Sequence, residues 1–135
     1  MILIDVGNTN IVFAVSVNKK IKNIKRIVTN KEIKSFNNIV SKIIKIYLNL
    51  NCLKNSKTAI ISSVVPNINS HIIKILKLHK IKVYVLKPKD MLPYFKIDYD
   101  LNEIGADRIA NSAAVIDYKI QNSIVIDFGT ATTFE

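Results

Sequence analysis

Each of the three glycines in this 135-residue chain stands within two residues of an aspartate: Asp5-Val6-Gly7, Gly105-Ala106-Asp107 and Asp127-Phe128-Gly129. Glycine serves where the backbone takes positive φ or where a ligand comes close to the main chain. In Asp5-Val6-Gly7-Asn8-Thr9-Asn10 an apolar run delivers a carboxylate, and a tight polar turn follows. Its backbone N–H groups and its Asn and Thr side chains suit phosphate oxygens, with the carboxylate placed to hold a hydrated Mg²⁺. Taken alone, the same residues also read as a hairpin turn with an aspartate at its mouth. Asp127-Phe128-Gly129-Thr130-Ala131-Thr132-Thr133 repeats the pattern. Two such turns facing one cleft are what a nucleotide clamp between two similar halves needs.

The middle turn, Ile104-Gly105-Ala106-Asp107-Arg108, differs. A carboxylate at a helix start can accept the proton of an alcohol as a γ-phosphoryl group leaves ATP, and Arg108 can bind a carboxylate or phosphate with two parallel hydrogen bonds. Plain N-capping accounts equally well for Asp107 but leaves Arg108 unexplained. Arg26, the other arginine, lies in a lysine-rich run and reads as ordinary surface. His71 and His79 have no acid or second ligand near them in sequence, and Cys52 is the only cysteine, so neither a metal cluster nor an internal disulfide is expected. Ser62-Ser63 reads as a strand end near the cleft or as a structural pair. Tyr99 is either a pocket-lining aromatic or a loop aromatic packed on the core.

These turns need elements to hold them. MILIDV, NIVFAVSV and IKNIKRIVT are short apolar or alternating runs joined by tight links, which predicts a three-stranded antiparallel meander. From Lys31 to Leu48 apolar residues recur at three and four: Ile33, Phe36, Ile39, Val40, Ile43, Ile44, Tyr47 and Leu48, with Lys34, Lys42 and Lys45 opposite. That is an amphipathic helix. After NCLKNSK come a buried strand TAIISSVV stopped by Pro66, a helix over about 68–78, the strand KVYVL, a loop between Pro88 and Pro93, a helix ADRIANSAAVIDY with a small face at Ala106, Ala110, Ala113 and Ala114, and a buried strand SIVIDF. The order β-β-β-α-β-α-β-α-β predicts an α/β fold with a mixed sheet flanked by helices, the ribonuclease-H-like order used by each half of the actin-like ATPases. The likeness of IDVGNTN to IDFGTAT places a first domain over 1–121 and the first strand and phosphate turn of a second, truncated domain over 122–135.

A composition of 49% hydrophobic and 22% charged residues is that of a folded globular chain. No apolar run reaches the roughly 20 residues that span a bilayer, and MILIDVGNTN has no basic leader, so the expectations are a cytoplasmic protein and no membrane partner. The net charge of +10 is uneven: residues 1–89 hold 17 Lys and Arg against 2 acids, residues 90–135 hold 3 against 8. Lysine supplies 18 of the 20 cations and keeps company with many Ile and Asn, the bias of an AT-rich coding sequence, and aromatic residues do not interleave the lysine runs. No nucleic-acid partner is expected.

The motifs DVGNTN, SSVVP, GADR with its helix, and IDFGTATTF, in that order along the whole chain, resemble the type III pantothenate kinases of the actin-like ATPase superfamily. The spacing of GADR about twenty residues before DFGTATT is the more specific part of the likeness. The resemblance implies transfer of the ATP γ-phosphoryl group to the primary alcohol of pantothenate, giving 4'-phosphopantothenate in the first step of coenzyme A synthesis. It implies that Asp5, Val6, Gly7, Asn8, Thr9, Asn10, Ile11 and Val12 form the first phosphate loop and that Thr130 also contacts ATP. Gly105, Ala106, Asp107 and Arg108 would contact pantothenate, with Asp107 as the general base and Tyr99 flanking the substrate. Asp127 would hold a monovalent cation, K⁺ or NH₄⁺, and Asp5 would lie beside Mg²⁺. The segment Tyr99-Asp100-Leu101-Asn102-Glu103-Ile104 departs from the family, which commonly has Tyr-x-Asn-Pro there with one residue more.

Family members also run to roughly twice a single domain, with a second half of the clamp and a homodimer interface that completes the pantothenate site. The resemblance therefore implies that these 135 residues are a fragment or a truncated, inactive copy, with weak or no turnover alone and an exposed strand edge. Two other readings stay open at this level. One is a non-catalytic nucleotide-binding regulator on the same fold. The other is a ribonuclease-H-like nuclease using Asp5, Asp107 and Asp127 for two metals.

Overall fold

Along Ile2-Leu3-Ile4-Asp5-Val6 the side chains alternate between faces, so the three even positions are buried while Asp5 emerges on the other side. This strand, β1 (Ile2–Val6), is the middle of a five-stranded sheet in the computed structural model, which describes residues 1–29, 33–50, 53, 57–129 and 132–134. The chain forms two compact units, Met1–Val85 and Leu86–Glu135.

In the first unit β1 is followed by β2 (Asn10–Val17), β3 (Lys20–Val28), α1 (Ile33–Leu48), β4 (Thr58–Ser63), α2 (Pro66–Leu78) and β5 (Lys82–Val85). The strand order is β3-β2-β1-β4-β5, with β1–β2 and β2–β3 antiparallel and β1–β4 and β4–β5 parallel. This is the mixed α/β arrangement that the element order predicts. Asn18 and Lys19, at φ 50° and 62°, make the two-residue link between β2 and β3. Positive φ at both positions matches the strand twist, and asparagine tolerates it better than most residues.

The helical stripe buries Phe36, Val40, Ile43, Ile44 and Tyr47 of α1, and α2 adds Ile72, Ile75 and Leu76. All pack into one core with Ile4, Phe13 and Ile61 of the sheet. Ile39, expected on that stripe, lies at its edge and is exposed. The Ile33 side chain, the start of the predicted helix at Lys31 and Cys52 lie outside the described residues. Pro66 does more than stop a strand: it opens α2 two residues earlier than the periodicity predicts, because its missing N–H is one that a first turn leaves unpaired anyway.

Between Phe13 and Val15 the β2–β3 register shifts, so Asn23 and Ile24 stand against Ala14 alone, and Asn23 takes φ 54°. The Tyr47 hydroxyl, buried beneath this bulge, is shared between the carbonyl oxygens of Phe13 (3.0 Å) and Asn23. Burial pushes its pKa up to about 12. Tyr47→Phe is expected to cost about 1–3 kcal/mol, since two bulge carbonyls lose their donor, read as a lower midpoint in urea. The neutral phenol is favoured in the fold, so its contribution is complete below the unfolded value near 10 and falls as pH rises from there towards 12. Stability of the parent should therefore drop across that window, and Tyr47→Phe should remove this part of the drop.

The second unit holds a 3₁₀ turn at Pro88–Met91, α3 (Ala106–Asp117), and β6 (Ile126–Phe128) paired antiparallel with β7 (Thr132–Phe134). Two expectations need correction. The Pro88–Pro93 stretch is partly ordered as the 3₁₀ turn, with Lys87 N–H donating to Asp90 Oδ2 at 2.9 Å. SIVIDF is not a six-residue buried strand: β6 has three residues, and Ile126 and Phe128 are 47% and 80% exposed. A ribbon of two short strands has too little surface to bury its own apolar side chains.

Candidate functional site

The three parallel strands β1, β4 and β5 all end at one edge of the first unit's sheet, where open α/β folds collect ligands. Val6 stands opposite Ser63, and Val64 N–H donates to the Val6 carbonyl at 3.0 Å, which draws the SSVVP segment alongside the Gly7 turn. Ser63 Oγ accepts from Val65 N–H at 3.1 Å, and α2 starts at the next residue with no side-chain cap. Its N-terminal dipole favours an anion at this edge. Ser62-Ser63 ends β4 beside the Gly7 turn, and Ser63 also holds the Val65 N–H that precedes α2.

The turn itself is short and braced. Gly7 N–H donates to the Asn10 carbonyl at 2.9 Å, and a Cβ at Gly7 would meet that oxygen at 3.1 Å. None of the described glycines has positive φ; Gly7 is needed for this close approach and not for a left-handed backbone. Asn8 and Thr9 are exposed and Asn10 half-buried, while Ile11 is buried and Val12 half-buried at the start of β2. The polar part of the turn thus faces solvent and the apolar part anchors it. From outside the predicted motif, the Thr29 hydroxyl donates to the Gly7 carbonyl (2.8 Å) and Thr29 N–H to the Thr9 carbonyl (2.8 Å). Only the register of β2 against β3 reveals this contact, since twenty residues separate Thr29 from Thr9.

Asp5 lies opposite Ser62 in the parallel register. Ser62 Oγ is buried and has no hydrogen-bond partner among the described residues. The exposed Asp5 carboxylate is an oxygen donor that fits Mg²⁺ held by one carboxylate and its own waters.

In the second unit Gly105 is the N-cap of α3 at φ −68°, ψ 149°, so Asp107 lies inside the first turn and does not cap it. Its Oδ1 accepts from Arg108 N–H at 2.9 Å. Ala106 is buried and seats the helix, whereas Asp107 and Arg108 are half-buried. One helical turn on, Asn111 Nδ2 donates to Asp127 Oδ2 over a long 3.5 Å, joining α3 to β6. Asn111 was legible in principle, four residues after Asp107 on the same helical face. Asp127 stands opposite Thr133 in the β6–β7 register, so oxygen donors suited to a hard cation are adjacent there. Tyr99 is 55% exposed in the loop before α3, next to an Asp100 carboxylate that accepts from Asn102 N–H at 2.8 Å. Thr130 lies outside the described residues. Among the described residues no group of three or more His, Cys, Asp or Glu is arranged to hold a metal, and no helix is long and apolar enough to cross a membrane.

Val6 pairs with Ile11 across four intervening residues, whereas Phe128 pairs with Thr132 across three.

A mixed sheet of order β3-β2-β1-β4-β5 covered by helices, with glycine turns beside strand-end carboxylates, is the ribonuclease-H-like arrangement of the actin-like ATPases. The family model described as type III pantothenate kinase matches residues 1–135. A type III pantothenate kinase of Pelagibacter ubique (strain HTCC1062) is 39% identical over 134 residues, covering 97% of this chain and 51% of the relative. The chain belongs to the type III pantothenate kinase family. It spans about half the length of that relative.

Proposed function

We propose that this chain supplies the first phosphate turn, the acceptor-side helix and the catalytic base of an ATP-dependent pantothenate kinase. The observation that carries the reading is the braced Gly7 turn at the carboxyl edge of β1 and β4, beside an uncapped helix N-terminus, in a chain of this family. Backbone N–H groups and the Asn8 and Thr9 side chains receive the ATP phosphates, with Asp5, Val6, Asn10, Ile11 and Val12 shaping the loop and Thr130 adding a contact from the second turn. Mg²⁺, held at Asp5 through its own waters, would neutralise phosphate charge.

Gly105, Ala106, Arg108 and Tyr99 position pantothenate, Arg108 by its carboxylate. Asp107 accepts the proton of the primary alcohol as the new O–P bond forms and the bond from the γ-phosphorus to ADP breaks. Asp127, oriented by Asn111, holds K⁺ or NH₄⁺. The 1–121 and 122–135 division, a homodimer and a cytoplasmic location complete the proposal. Membership of the family supports this reading over the regulator and nuclease alternatives.

The test is turnover with pantothenate, ATP, Mg²⁺ and K⁺, in protein of full family length and in the 135-residue chain. Phosphorylated pantothenate is expected from the former and little or none from the latter. No product from the full-length protein would refute the kinase reading. Strong turnover by the short chain would refute the need for further residues.

A further inference from the structure

We infer that Thr29 is a positioning residue for the phosphate turn: it makes the loop a preformed site instead of one that ligand must order. This inference rests on the nucleotide reading above and extends it to a residue outside the motif. Gly7 and Thr9 flank Asn8 at the exposed tip of the turn, and each has its carbonyl held by Thr29, one by the hydroxyl and one by the backbone N–H, both at 2.8 Å. Within the turn, the Gly7 N–H bond to the Asn10 carbonyl supplies a further closure. Thr29 directly follows the last residue of β3, so the clasp couples the end of the meander to the loop between β1 and β2.

The bond to the Gly7 carbonyl is specific to the hydroxyl, whereas the bond to the Thr9 carbonyl comes from the backbone. Carbonyl oxygens repel phosphate, so a loop that offers N–H groups to an anion must turn its carbonyls to other donors. Thr29 donates to two of them. Valine has the shape of threonine without the donor, and serine keeps the donor without the methyl group, so the pair separates hydrogen bonding from packing.

The experiment uses the 135-residue chain and its Thr29→Val and Thr29→Ser variants, with thermal melts to establish folding. Hydrogen exchange reads the Gly7 and Thr29 amides, and titration with MgATP reads the site. Thr29→Val is expected to exchange faster at both amides and to bind MgATP about five- to tenfold more weakly, the scale of one lost hydrogen bond. Thr29→Ser should restore both. Exchange in Thr29→Val equal to the parent overturns the clasp, as does equal loss of binding in the two folded variants. If the 135-residue parent does not bind MgATP, the titration moves to protein of full family length, where failure to bind sinks the nucleotide reading and exchange alone then decides whether Thr29 orders the turn. Should Thr29→Val not fold, Thr29→Ser with parental exchange and affinity supports the hydroxyl, and Thr29→Ser with fast exchange overturns it.

Discussion

Asp107→Asn is expected to lower pantothenate-dependent turnover by about 10²- to 10⁴-fold, the range that a positioned general base supplies. Affinity for MgATP should stay within about twofold, well under the 1.4 kcal/mol that a tenfold change represents. The expectation follows from where the carboxylate sits. Gly105 serves as the N-cap, so Asp107 is not needed to start α3, and the amide can still accept from Arg108 N–H through its oxygen. The fold should therefore survive with its proton acceptor removed. The measurement is kcat and KM in protein of full family length, alongside nucleotide titration. Undiminished turnover would remove Asp107 from the role of base; parallel loss of turnover and nucleotide affinity would make it a binding residue.

The second large effect is expected at Gly7. Its N–H already lies 2.9 Å from the Asn10 carbonyl, and even one added carbon would stand 3.1 Å from that oxygen. Neither atom can withdraw without lengthening the bond that closes the turn. Gly7→Val should weaken MgATP binding by about tenfold or more, corresponding to the 1–3 kcal/mol of overpacking concentrated in the loop. Gly7→Ala should fall between it and the parent. Far-UV circular dichroism should change little, because β1 and β2 are paired beyond the turn from Val6 and Ile11 onward. Parental affinity in a folded Gly7→Val chain would mean that nucleotide does not depend on this turn.

Much of the fold was legible because local physics sets it. Alternation in MILIDV and NIVFAVSV and the three-and-four spacing of Phe36, Val40, Ile43 and Tyr47 mark which faces must leave water, and the meander, α1 and α2 follow. The site's motif residues were also readable, since glycine beside a strand-end carboxylate is a local pattern. What failed was burial. SIVIDF has the composition of a buried strand, but burial is a property of neighbours: among the described residues β6 pairs only with β7 and leaves Phe128 80% exposed. In sequence Gly7 reads as serving either positive φ or the approach of a ligand to the main chain; its φ is not positive, and a Cβ there would stand 3.1 Å from the Asn10 carbonyl.

Residue order by itself determined the elements, the apolar faces and the three aspartate–glycine turns, because these depend on side chains a few positions apart. Tertiary structure alone decided that β4 lies parallel to β1, bringing Ser62 beside Asp5, that Tyr47 reaches the β2–β3 bulge, and that Thr29 closes on Gly7 and Thr9. These contacts join residues 20 to 57 positions apart, and their partners are chosen by strand register, which the whole sheet and its core must agree on before any one pair can form.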